Sequence, residues 1–196
     1  MTANMAVRQS FFTALTDTKT TDVEGVGTLR TVQNGDIYRW VKNKSITNAS
    51  RAGAPALFDI SANAGATLKN ECVVGEDASG DEYVMGGVWM AAVPALSYGW
   101  ILVRGVHAGI RFTDDVTCTI GDILIPNLAT DVSLTAAKCY SFKIGMTRAN
   151  AVATAYWTGV HFDPSDPHVT VLNASGTTAT GTTVASDCVG FVWGLL

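Results

Sequence analysis

Ser97 to Pro126 reads SYGWILVRGVHAGIRFTDDVTCTIGDILIP. Its apolar and aromatic residues come in short runs, each cut by Gly or by a polar cluster, which is the pattern of consecutive buried strands joined by tight turns. Its His107, Asp114, Asp115 and Cys118 fall in no recognised nucleophile, acid-pair or metal-ligand pattern. The best-organised segment of the chain therefore carries scaffold rather than chemistry.

Towards the N-terminus, Gly27 to Asn43 reads GTLRTVQNGDIYRWVKN. Asn34 and Gly35 both tolerate positive φ, so a type I′ hairpin is expected there between β-rich runs. That turn sets Val32 opposite Ile37, Thr31 opposite Tyr38, Arg30 opposite Arg39 and Leu29 opposite Trp40. Opposed like charges are unfavourable in a sheet. The face carrying Arg30 and Arg39 is therefore expected to be open to water or to meet carboxylates of another segment or subunit.

Residues 1–24 read as an N-terminal arm, with Phe11, Phe12 and Leu15 as a small apolar cluster ahead of the polar run TDTKTTDVEG. A terminus stays mobile unless it docks. The three side chains are expected to pack on a neighbouring subunit or to fold back on their own domain. On the first reading, removal of residues 1 to 20 would leave the fold intact and weaken attachment to partners. Residues 25–196 read as a single β-rich domain.

Downstream of the hairpin, residues 43 to 82 look like long connections with brief strands such as Ala56 to Ile60. Further strands are expected over Tyr83 to Val93, Lys138 to Gly145, Ala153 to Phe162, Val169 to Asn173 and Cys188 to Leu196. Thr147 to Ala155 is the sole contender for a helix, and its β-branched residues argue against one. The tract NASGTTATGTTVASD reads as an exposed loop. The fold class is all-β: a barrel or sandwich of short antiparallel strands with an extended N-terminal arm.

Composition narrows the function. Charged residues make up 15% of the 196 positions, against about 25% in an average soluble domain. The mean hydropathy is +0.22. So little charge covers a lone monomer poorly, and part of the surface is expected to be buried against other chains. The net charge of −4 and scattered Lys and Arg argue against a nucleic-acid or anionic-membrane partner. No transmembrane span or secretory signal is visible.

Chemistry-bearing motifs are sparse. The hydrolase elbow, phosphate loop, zinc helix and dinucleotide turn are all absent from the sequence. In HFDPSDPH, His161, Asp163, Asp166 and His168 are close enough to invite a metal, but its prolines impose a turn-rich path, and a solvated turn is the preferred reading. His107 would need a nucleophile or carboxylate beside it to act as a base. The acidic GEDASGDE, with Glu76, Asp77, Asp81 and Glu82, lacks calcium-loop spacing. Cys72, Cys118, Cys139 and Cys188 form no CxxC pair, so no zinc site is expected. Sequons at Asn43, Asn48 and Asn173 need a secretory route to matter. No cofactor and no catalytic residue is expected.

The hairpin GTLRTVQNGDIYRWVKN, the strand ending VWMAAV, then YGWILVRGVH and IGDILIP, and an apolar last strand together resemble capsid decoration (cement) proteins of tailed bacteriophages. The likeness is to the small β-barrel or tulip-like type and covers Gly27 to Pro126, more weakly the remainder. It implies a non-enzymatic virion protein, made in the host cytoplasm, that binds the major capsid protein lattice on the outer surface of the shell. It also implies a homo-oligomer, typically a trimer at a local symmetry axis. Phe11, Phe12, Leu15, Arg30 and Arg39 are then the expected capsid or subunit contacts. The alternative is a receptor- or glycan-binding head-fibre or tail component.

Overall fold

A computed structural model describes residues 10–59, 71–73, 83–112, 120–126, 142–146, 168–174 and 186–194. Among these residues the chain is all-β. Its strands are β1 (Thr18–Lys19), β2 (Leu29–Thr31), β3 (Ile37–Asn43), β4 (Pro55–Asp59), β5 (Glu71–Val73), β6 (Tyr83–Trp89), β7 (Tyr98–Phe112), β8 (Ile123–Pro126), β9 (Phe142–Met146), β10 (His168–Ala174) and β11 (Ser186–Trp193).

Strand β7 organises the molecule. Its first half pairs with β3 on one side and β6 on the other, and the circuit closes through β4 and β5 back to β3. Its second half pairs with β11, and a second circuit runs through β10, β8 and β9 back to Phe112. The sheet therefore curls into a barrel-like form in which two rings share one strand. Most pairings are antiparallel, but β3 with β5 and β7 with β9 are parallel.

This corrects the expected run of short strands in Ser97–Pro126. A single 15-residue strand runs through Gly99, Gly105 and Gly109 instead of ending at them. Trp100, Ile101, Leu102 and Val103 are all fully buried. Both faces of the strand are covered there, so its apolar run is continuous instead of alternating. Ile101 and Val103 join Val41, Phe58, Cys72 and Trp89 in the core of the first ring. Trp100 and Leu102 join a second cluster with Trp40 and Tyr38 that continues to Ile110, Leu124, Val169 and Val192 of the second ring.

Between the rings β7 carries a bulge: Tyr38 faces Leu102 while Ile37 faces Arg104. Such an extra residue bends a strand and re-aims the side chains beyond it. Gly105 follows with φ +136°, and a Cβ there would collide with the Asp36 carboxylate.

The hairpin forms in a different register. Leu29 faces Arg39, Arg30 faces Tyr38 and Thr31 faces Ile37. Only Gly35 of the turn pair has positive φ, at 89°. Val32 and Asp36 are part of the loop, closed by Gly35 N–H donating to Val32 O (2.9 Å) and Val32 N–H to Asp36 O (3.1 Å). The Asn34 side chain adds a local clamp, its Oδ1 accepting from Asp36 N–H (3.1 Å). This side-chain turn competes with the tighter one, as Asn does wherever it bonds the backbone two residues on. Shifting the register by one residue moves Arg30 to the other face. The opposed arginine pair does not arise.

Candidate functional site

The N-terminal segment lies along the outside of the first ring. Thr18 and Lys19 pair with Gly99 and Tyr98 of β7. Phe11 meets the Trp100 ring edge-to-face at 5.7 Å, and Phe11 and Leu15 pack on the cluster that holds Trp40 and Trp100. Of the two expectations for these side chains, folding back on their own domain is what Phe11 and Leu15 do. Phe12 differs: it is 80% exposed.

Carboxylates fasten the segment. Glu24 Oε1 accepts from Phe12 N–H (2.8 Å), Thr13 N–H (2.7 Å) and Thr13 Oγ1 (2.6 Å). Trp100 Nε1 donates to Thr13 Oγ1 (2.9 Å), and Trp40 Nε1 donates to Asp22 Oδ1 (2.9 Å). Buried indole N–H groups are costly to leave unpaired, so the arm satisfies the core as well as covering it. Arg30 completes the join. Its Nη1 donates to Thr13 O (3.0 Å), and its guanidinium lies 4.9 Å from the Phe11 ring centre.

Arg39 lies on the other face of β3, over the Phe58 ring at 5.6 Å. Burial lowers its pKa below the ordinary arginine value, the direction expected when a cation leaves water. Two of the expected contact residues, Arg30 and Arg39, thus hold aromatic rings of their own chain. Phe12 is the one that projects.

Two other surfaces present large apolar side chains. At one end of the first ring, Ile46 is 80% and Leu96 51% exposed. Leu96 sits at φ 56°, a conformation L residues other than Asn and Asp rarely take. Asn43, wholly buried, ties the Ile46 loop to the Leu96 turn. Its Nδ2 donates to Asn48 O, Val93 O and Pro94 O, while Oδ1 accepts from Ser45 N–H. As a sequon, Asn43 is closed off by that burial.

On the outer wall of the second ring, Phe191 stands between Thr170 and Val106, and Trp193 between His168 and Arg104. Trp193 is 40% exposed. His168 stacks on it at 6.1 Å, the Arg104 guanidinium lies 5.4 Å from its ring, and Phe191 is tilted against it at 4.7 Å. The β-run that contains Trp193 gives no sign in the sequence of which face is wet.

His168 is buried at the start of β10. His161, Asp163 and Asp166, with the acidic stretch at Glu76 to Glu82, Cys118, Cys139 and Trp157, lie outside the described residues. Among the described residues no three His, Cys, Asp or Glu side chains gather as a metal would need. His107 accepts from Gly109 N–H at Nδ1 (3.0 Å) within β7. Among the described residues no helix is long and apolar enough to cross a membrane. Comparisons with protein-family models, curated proteins and solved structures find no match.

Proposed function

We propose that this chain is a non-enzymatic capsid decoration protein of a tailed bacteriophage, binding the major capsid protein lattice from outside as a homo-oligomer. The observation that carries the reading is the set of large apolar side chains held out on fastened segments: Phe12 on the docked arm, Ile46 and Leu96 on the loops joined by Asn43. Anchors fixed in advance lose little freedom on docking, which favours stable attachment to a repeated protein surface. Binding that reaches only the assembled shell stabilises it by mass action. The low charge of the chain and the resemblance of Gly27 to Pro126 to decoration proteins support the same reading.

Co-sedimentation with expanded shells of the cognate major capsid protein tests it. The chain is expected to pellet at a saturating ratio fixed by the lattice, and failure to pellet at any concentration would overturn the reading. The alternative, a glycan-binding virion component, is favoured by Trp193 beside Arg104 on an outer wall. Retention on a glycan array at high salt, without shell binding, would establish that alternative instead.

A further inference from the structure

Two exposed patches of this chain are complementary to each other. The first is the outer wall of β10, β11 and β7, where Trp193, Phe191 and Val106 form an apolar surface flanked by Arg104. Arg104 makes no ion pair among the described residues. Contact with His168, Phe191 and Arg104 sets the orientation of the Trp193 ring. A Trp pre-set in this way, next to an Arg, has the composition of an interface hot spot.

The second patch is the outer side of the N-terminal segment. Phe12 projects from a backbone whose N–H is held by Glu24, and Val23 is also exposed. Between Ser10 and Val26 the charged residues are Asp17, Lys19, Asp22 and Glu24, a balance of three acids against one base. With Arg30, bonded to Thr13 O, counted in, this patch is aromatic and carries one net negative charge, whereas the first is aromatic and cationic.

We infer that the occupant of the Trp193 wall is a second copy of this chain, which seats Phe12 against Trp193 and Val106 with its carboxylates towards Arg104. Charge complementarity selects this partner. The chain as a whole is acidic, and the wall presents beside apolar surface a guanidinium that has no ion pair among the described residues. Phe12 and Trp193 both face solvent within one chain, so their contact is between copies. Because the two patches differ, the contact is head-to-tail and propagates until a ring closes. This deepens the oligomeric part of the decoration reading and is tested apart from it.

The test is sedimentation velocity of the full chain over a concentration series, with Phe12→Ala, Trp193→Ala, the double variant and Arg104→Glu. Val106→Glu serves as a second disruption of the wall should Trp193→Ala fail to fold, with near-UV circular dichroism reporting folding. The wild type is expected to associate, and each single variant to weaken association about tenfold or more. The double variant is expected to be no weaker than the poorer single one, because both remove one contact. A wild type that stays monomeric, a Phe12→Ala chain that associates normally, or fully independent effects of the two substitutions would each overturn the inference. So would loss of glycan retention in Trp193→Ala with sedimentation unchanged. Shell co-sedimentation by a dissociated variant would leave the decoration reading standing while this contact failed.

Discussion

Thr13 takes part in four hydrogen bonds: its N–H and hydroxyl donate to Glu24, the hydroxyl accepts from Trp100 Nε1, and its carbonyl accepts from Arg30. Thr13→Val keeps the shape but leaves the buried Trp100 N–H without an acceptor, at a cost of about 1–3 kcal/mol. The urea midpoint should fall with an unchanged slope; an unmoved midpoint would show that the hydroxyl is dispensable. Asn43→Ala removes three donated bonds and one accepted bond from a wholly buried side chain, although Val93 O and Pro94 O keep the backbone N–H groups of Ser50 and Ser97, and it is expected to cost at least as much as Thr13→Val in the same assay. Cys72 supplies a pH dependence. Burial pushes its thiol well above the ordinary 9.0, with the nearby Arg39 charge opposing and Glu71 reinforcing the shift. With the folded pKa raised, the thiol's contribution is fully present below the unfolded value and is lost as pH rises beyond it. The unfolded chain then releases a proton that the folded one keeps, and stability falls by up to about 1.4 kcal/mol per pH unit. Tyr38 acts with the same sign from its ordinary 10.0, because burial and then Asp36 raise it. Cys72→Ala removes the thiol alone, so the stability advantage of wild type over this variant should shrink between about pH 8 and about pH 10.5. Parallel curves would refute the linkage.

At the scale of the element, Gly105 is where β7 passes from one ring to the other. Its φ of +136° and the Asp36 carboxylate against its missing side chain leave no room for alanine. The same carboxylate bonds Val106 N–H and lies beside the Tyr38 hydroxyl, so moving it disturbs the loop of the hairpin too. Gly105→Ala should therefore cost about 2 kcal/mol or more in urea unfolding, and a loss below about 0.5 kcal/mol would mean that the strand bends elsewhere. This element also marks the reach of sequence reading. The all-β class was legible because β-rich runs and turn residues alternate along the chain. The hairpin between Leu29 and Asn43 was legible for the same reason, but its register was not. Asn34 offers both a backbone turn and a side-chain turn, and only tertiary packing chooses between them. Nor does an apolar run such as WILV show whether a following glycine bends a strand or ends it, because a strand covered on both faces loses the alternation that would mark continuity. Phe11, Phe12 and Leu15 were visible as a cluster. Which of them turns inward depends on Trp100 and Glu24, residues too distant in sequence to be read together.

Over the whole molecule, the N-terminal segment is part of the fold before it is part of any interface. Trp40 and Trp100 are fully buried, and both direct their indole N–H groups into that segment. Removing residues 1 to 20 takes away Phe11, Thr13, Leu15 and β1. Burying one Phe or Leu contributes about 1.5–3 kcal/mol, and a domain of this kind has only about 5–15 kcal/mol in total. The truncated chain should therefore melt well below the full one, with red-shifted tryptophan emission and dye binding at the uncovered indoles. This opposes the simpler view of a detachable arm, which an unchanged melting temperature would restore. The sharper test compares adjacent phenylalanines. Phe11 is packed on Trp100 and Arg30, whereas Phe12 is 80% exposed. Phe11→Ala should lower the urea midpoint by the equivalent of about 3 kcal/mol and leave the association of the remaining folded chain intact. Phe12→Ala should move the midpoint by less than about 0.5 kcal/mol and weaken association. If the two variants behave alike, the division of the segment into a face that completes the core and a face that meets a partner is wrong.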